Sequence, residues 1–135
     1  MNSPGKLSDD AGEAACILVV DDERRNRDLL EVILKSEGYR VSTAASGEDA
    51  LDRLSRTCPD LVLLDVMMPG IDGYTVAVKI KSDPSTKAVP VILLTALDDS
   101  NSRAHGIRVG AEVVLTKPID RAELCRSIAA VLQRR

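Results

Sequence analysis

Five polar residues stand where short apolar runs of the chain end. Asp21 and Asp22 follow Cys16–Val20, Asp65 follows Leu61–Leu64, Thr95 follows Val89–Leu94, and Lys117 comes just after Val113–Leu115. Singly, each has an ordinary explanation: an Asp there caps the next helix, a Lys is solvated, a Thr closes a turn. Together they are a set with chemistry. Three carboxylates brought close repel, and each raises its neighbours' pKa unless cations compensate. Lys117 supplies one positive charge, and a divalent cation would supply the rest. An all-oxygen site with few carboxylates suits Mg²⁺, which keeps waters and takes phosphate oxygens as further ligands. A carboxylate can attack a phosphoryl donor and become an acyl phosphate. An ammonium and a hydroxyl, here Lys117 and Thr95, would then offset charge on the equatorial oxygens of the transferring group.

That chemistry requires residues 21 to 117 to meet in one cleft. The apolar runs lack in-out alternation, as expected of strands buried on both faces of a parallel sheet. A weaker run, Tyr39–Ala44, is half polar and suits an edge strand. Helix signals fall between the runs. Residues 23–37 carry Leu30, Ile33 and Leu34 on one face and stop at Gly38. Ser46 can cap a second helix that turns Ala50, Leu51 and Leu54 inward. Residues 74–81 precede the turn signal Asp83-Pro84, and Asp120 with Glu123 suggests a capping box for the last helix. Residues 99–109 form the weakest helix, polar and interrupted by Gly106, with Gly110 at its end. The alternation implies an α/β chain: an open, flavodoxin-like, five-stranded parallel sheet of order 2-1-3-4-5 with five helices on both faces. In such sheets ligands bind beyond the carboxyl ends of the strands, where the five polar residues lie.

The composition narrows the function. The 135 residues suffice for one domain, expected over 16–135 after a disordered leader at 1–15. The chain has no Phe, no Trp and two Tyr, so aromatic stacking on single-stranded nucleic acid is not expected. A net charge of −3 offers no basic footprint for DNA or an anionic membrane. No run nears the roughly 18 apolar residues of a membrane span, and the leader lacks the apolar core of a signal peptide. A cytoplasmic protein is expected. Cys16, Cys58 and Cys125 are widely spaced and read as small hydrophobes near core elements. His105 reads as a surface or packing residue.

In order and spacing, VVDDE, LLDVMMPGIDG, LLTA and TKP resemble the motifs of response-regulator receiver domains of bacterial two-component systems, such as the chemotaxis regulator. The resemblance covers roughly residues 15–134. It implies that Asp65 is the phosphoacceptor. It implies further that Asp22, Asp65 and the backbone carbonyl of Met67 are direct Mg²⁺ ligands, with Asp21 acting mainly through water. Thr95 corresponds to the switch hydroxyl, with Ala96 beside it, Lys117 to the phosphate-binding lysine, and Lys117-Pro118 to a cis peptide. The phosphoryl group would come from a histidine kinase or a histidine phosphotransfer protein. Output would pass to an attached domain, a partner protein or a second copy through the face made by 99–109, 113–116 and 120–133. Such a protein is no enzyme beyond its own phosphorylation and slow dephosphorylation. One position departs: Val114 stands where the family usually has a Tyr or Phe switch. The alternative is a receiver-like interaction module that works without phosphate, and the complete acidic pair, Asp, Thr and Lys disfavour it.

Overall fold

The computed structural model describes residues 14–134, so most of the leader expected at 1–15 lies outside the described residues. The elements alternate strictly: β1 (Cys16–Val20), α1 (Arg24–Ser36), β2 (Arg40–Ala44), α2 (Gly47–Arg56), β3 (Leu61–Asp65), α3 (Gly73–Ser82), β4 (Val91–Thr95), α4 (Ser100–Arg108), β5 (Val113–Thr116) and α5 (Arg121–Gln133). The strands form one parallel sheet in the order β2-β1-β3-β4-β5. β2 is an edge strand, as its half-polar pattern predicts.

Successive side chains of a strand point to opposite faces, and here both faces are covered. Ile17, Val19, Leu61, Leu63, Ile92 and Leu94 pack with Leu30 and Leu34 of α1 and Leu124 and Ile128 of α5. Leu18, Val20, Val62, Leu64 and Leu93 pack on the other face with Ala50 and Leu54 of α2 and Val76, Ala77 and Ile80 of α3. This explains the unbroken apolar runs, since polar residues have no solvated face to occupy. Each buried aliphatic side chain contributes about 1.5–3 kcal/mol.

The helix ends follow the signals. Ser46 Oγ accepts from the Asp49 amide at 3.0 Å, and Asp120 Oδ2 accepts from the Glu123 amide at 2.9 Å. Asp72 and Asp99 cap α3 and α4 in the same way, which the spacing alone does not announce. Gly38 takes the left-handed conformation after α1 (φ 93°). The fourth strand starts later than the apolar run Val89–Leu94. The Val89 amide donates to the Thr86 carbonyl in a turn, and Pro90 has no N–H for the ladder. The strand then runs on to include Thr95. Among the cysteines, Cys16 and Cys125 are half-buried, but Cys58 is exposed rather than packed.

The amino ends of β4 and β5 are tied together by one network. Lys81 Nζ donates to the Val89 carbonyl at 2.8 Å and to Glu112 Oε2 at 3.1 Å, and Glu112 Oε1 accepts from the Val91 amide at 2.8 Å.

Candidate functional site

At the carboxyl end the chain leaves β1 through Asp21, whose amide still reaches the Ala44 carbonyl at 3.2 Å. Asp21 is 1% exposed, and its Oδ1 accepts from the Glu23 amide at 2.9 Å. Its carbonyl accepts from Arg27 Nη1 at 2.8 Å. Asp65 is the last residue of β3 and is 3% exposed. Asp22 is exposed. One carboxylate oxygen from each of the three lies within 4.8 Å of the others. Lys117 follows β5, where its amide donates to the Thr95 carbonyl at 2.7 Å. Its ammonium lies 2.8 Å from Asp65 Oδ1 and 3.8 Å from Asp21 Oδ2. The Lys117–Pro118 peptide is cis.

Three carboxylates thus face one ammonium. Burial pushes the Asp65 carboxyl above the ordinary range; the Lys117 hydrogen bond opposes this, while Asp21 and Asp22 add to it. For Lys117 burial acts downward, but the hydrogen bond and charge of Asp65, with Asp21 and Glu23, outweigh it and leave its pKa raised. Asp21 Oδ2 is fully buried and has no hydrogen-bond donor. A buried carboxylate oxygen without a donor, inside a cluster of excess negative charge, fits a hard oxygen-ligated cation such as Mg²⁺.

Thr95 is fully buried, and its Oγ1 accepts from the Leu97 amide at 3.0 Å, which leaves the hydroxyl proton free to be donated. Ala96 is exposed beside it, and Met67 and Leu97 expose their apolar side chains on the loops after β3 and β4. The structure therefore brings Asp21, Asp22, Asp65 and Lys117 together, with Thr95 at the adjacent strand end. Val114 lies elsewhere, buried under α4, where a Cβ on Gly106 would come within 2.6 Å of its Cγ2. Gly106 is thus a contact rather than a defect: only glycine lets α4 sit this close to β5. His105 is exposed, as expected of a surface or packing residue, with its ring against Tyr74.

Two residues escaped the sequence reading. Arg103 donates to the Val114 carbonyl at 3.2 Å and to Thr116 Oγ1 at 2.9 Å, next to Lys117. Tyr74 reaches from α3 to α4. Nothing in the spacing marks either, because their partners are distant in sequence. Beside Lys117 and Asp21 an apolar groove runs between α1 and the segment after β5, lined by Leu29, Leu30, Ile33, Pro118 and Ile119.

Residues 17–129 match the family model described as the response regulator receiver domain. The chain belongs to that family. It is similar to the response regulator PleD of Caulobacter vibrioides, 54% identical over 107 residues, which are 79% of this chain and 24% of that protein. It is similar also to the probable transcriptional regulator ycf27 of Guillardia theta, 45% identical over 118 residues, 87% of this chain and 45% of that one. The receiver thus spans about half or less of the length of these curated relatives. The crystal structure of a putative response regulator from Chloroflexus aurantiacus superposes with a TM-score of 0.86 at 37% identity, covering 90% of this chain and 99% of the other. Receivers belong to two-component systems, where response regulators work with histidine kinases and with output domains or partners, and they are regulatory proteins rather than enzymes in the usual sense. No helix among the described residues of this receiver is long and apolar enough to cross a membrane.

Proposed function

We propose that this receiver, residues 16–135, works in the cytoplasm and takes a phosphoryl group on Asp65 from the phosphohistidine of a histidine kinase or histidine phosphotransfer protein. The observation that carries this is the acidic cluster itself: three carboxylates within 4.8 Å, a lysine 2.8 Å from Asp65, and a buried Asp21 oxygen with no donor. Asp21, Asp22, Asp65 and the Met67 carbonyl would hold Mg²⁺, with Asp21 acting mainly through water. When bound, the ion supplies the positive charge that the carboxylates and the incoming phosphoryl oxygens need.

A carboxylate oxygen of Asp65 forms the new P–O bond as the P–N bond breaks. The electron pair of that bond returns to the donor imidazole, which takes up a proton. Lys117 faces the phosphoryl oxygens with a fixed charge, and Thr95 turns its hydroxyl to one of them. The donor protein lies along the groove of Leu29, Ile33 and Ile119, which Lys117 also lines. Ala96 is small enough for its loop to close when Thr95 is drawn in, and residues 96–110 follow as a backbone shift. Val114 takes no rotameric part, since a β-branched side chain is stiff at χ1. The face made by α4, β5 and α5 carries the altered surface to an output domain, a partner protein or a second copy. Nucleic acid and membrane are not direct partners.

Acetyl phosphate tests the reading. Incubated with the protein and Mg²⁺, it should add one phosphoryl group to the intact mass. It should add none in EDTA and none to Asp65→Asn. Equal labelling of Asp65→Asn, or full labelling in EDTA, overturns the assignment. No labelling of the wild type marks a phosphate-independent interaction module, and repeated turnover marks a phosphatase.

A further inference from the structure

The first turn of α3 touches both the acidic cluster and α4. The Gly73 amide donates to the Val66 carbonyl at 2.9 Å, and a Cβ at position 73 would collide with the Asp65 carbonyl oxygen. The helix therefore starts in contact with the backbone of Asp65. The next residue, Tyr74, packs partly on the core and extends to α4. Its hydroxyl donates to the Ser102 carbonyl at 3.4 Å. Its ring stands edge-to-face on His105, with centroids 4.1 Å apart and planes at 89°. Ser102 and His105 are three residues apart and so share one face of α4.

α4 is also held through Gly106, which sits against Val114 of β5 and Leu93 of β4, and through Arg103 on the Val114 carbonyl and Thr116. Gly106 is the only buried residue of the helix, so α4 has no apolar side chain sunk in the core. An element held by so few contacts moves readily when one of them moves.

We infer that Tyr74 is a positioning residue for signal output, linking the backbone of Asp65 to α4 through the first turn of α3. The inference rests on Asp65 being the phosphoacceptor. A change of charge at Asp65 shifts the segment that Gly73 abuts, and the Tyr74 ring carries that shift to Ser102 and His105. This route is separate from the loop after Thr95, and α4 is driven from both sides.

Beryllofluoride with Mg²⁺ can stand in for the phosphoryl group. The chain has two Tyr and no Trp, so in Tyr39→Phe all tyrosine emission comes from Tyr74. Saturation with beryllofluoride should change that emission. In amide NMR of the wild type, shifts are expected at 66, 97 and 117 and across 100–108. In Tyr74→Ala the shifts across 100–108 should fall to less than about half, while 66, 97 and 117 keep theirs. Tyr74→Phe should restore most of the response, because the ring remains. His105→Ala, a change at an exposed position, should weaken the response of 100–108 in the same way. Wild-type shifts across 100–108 in both Tyr74→Ala and His105→Ala, or unchanged emission in Tyr39→Phe, would overturn the inference alone. A wild type with no shifts at 66 and 117 would overturn the phosphoacceptor reading, and this inference with it.

Discussion

The two ends of the sheet hold charge in opposite ways. At the amino end Lys81 and Glu112 are matched one to one, and their polar atoms engage the Val89 carbonyl and the Val91 amide. At the carboxyl end three carboxylates cluster, one lysine pairs with only two of them, and Asp21 Oδ2 has no donor. The amino-end pair ties the starts of β4 and β5 together, whereas the acidic cluster joins the ends of β1, β3 and β5. A satisfied network holds strands in register. An unsatisfied one costs stability and is ready for what completes it. Here the first stabilises the fold, and the second is where phosphoryl chemistry is proposed.

The widest test of this contrast is to complete the acidic end. Mg²⁺ at a hundredfold excess over its dissociation constant should stabilise the wild type by about 2.7 kcal/mol, and Asp65→Asn far less, read from thermal melts. Without metal the order reverses, and Asp65→Asn should melt above the wild type at neutral pH. The sign follows from the raised Asp65 pKa. Between the ordinary Asp value and the raised one, the folded state holds a proton that the unfolded state has lost, so stability falls as pH rises through that window. Above it the cost of the buried carboxylate is complete, and below the ordinary value it is absent. The advantage of Asp65→Asn should therefore fade on acidification. A metal-free variant that melts below the wild type at every pH would break the contrast.

Next in size is damage to the satisfied end. Glu112→Ala leaves the Val91 amide without its acceptor and Lys81 without its counter-charge. The expected loss is about 2 kcal/mol by denaturant titration, with acetyl phosphate labelling unchanged. If labelling falls with stability, the two ends are not independent.

The smallest effect concerns persistence of the label. Met67 and Leu97 are 62% and 45% exposed on the loops after Asp65 and Thr95, and neither can orient a water for attack. A phosphoryl group lasting minutes or more is expected. Met67→Asn and Leu97→Glu should alter the hydrolysis rate, and by more than Met68→Asn does, though by less than the roughly 10²–10⁴-fold of a positioned general acid or base, followed by the decay of the labelled intact mass. A half-life of seconds in the wild type would contradict this.

Much of this was legible in the sequence because buried parallel strands leave a plain trace. Apolar runs without alternation marked β1, β3, β4 and β5, and the polar residue ending each run marked the site. Local rules also read well where the signal is local, as with Ser46 on Asp49 and Gly38 after α1. The limits were tertiary. Gly106 read as a weakness because its contact with Val114 lies across the fold. Tyr74 gave no hint of His105, nor Arg103 of Thr116. That Asp21 Oδ2 lacks a donor depends on the placement of every neighbour, which no spacing encodes. The late start of β4 was the nearest miss: Val89 is as apolar as the strand, but its amide serves a turn and Pro90 has none to give.

The acidic cluster draws its members from the ends of β1, β3 and β5, which are far apart along the chain. During synthesis Asp21 and Asp65 are added to the chain well before Lys117. Until β5 adds to the sheet beside β4, Asp65 has no ammonium beside it. A nascent chain halted before Lys117 would thus lack the counter-charge on Asp65 even with most of its sheet formed. Competence to receive a signal would then wait for β5, and a copy halted before it could not compete for the phosphoryl donor.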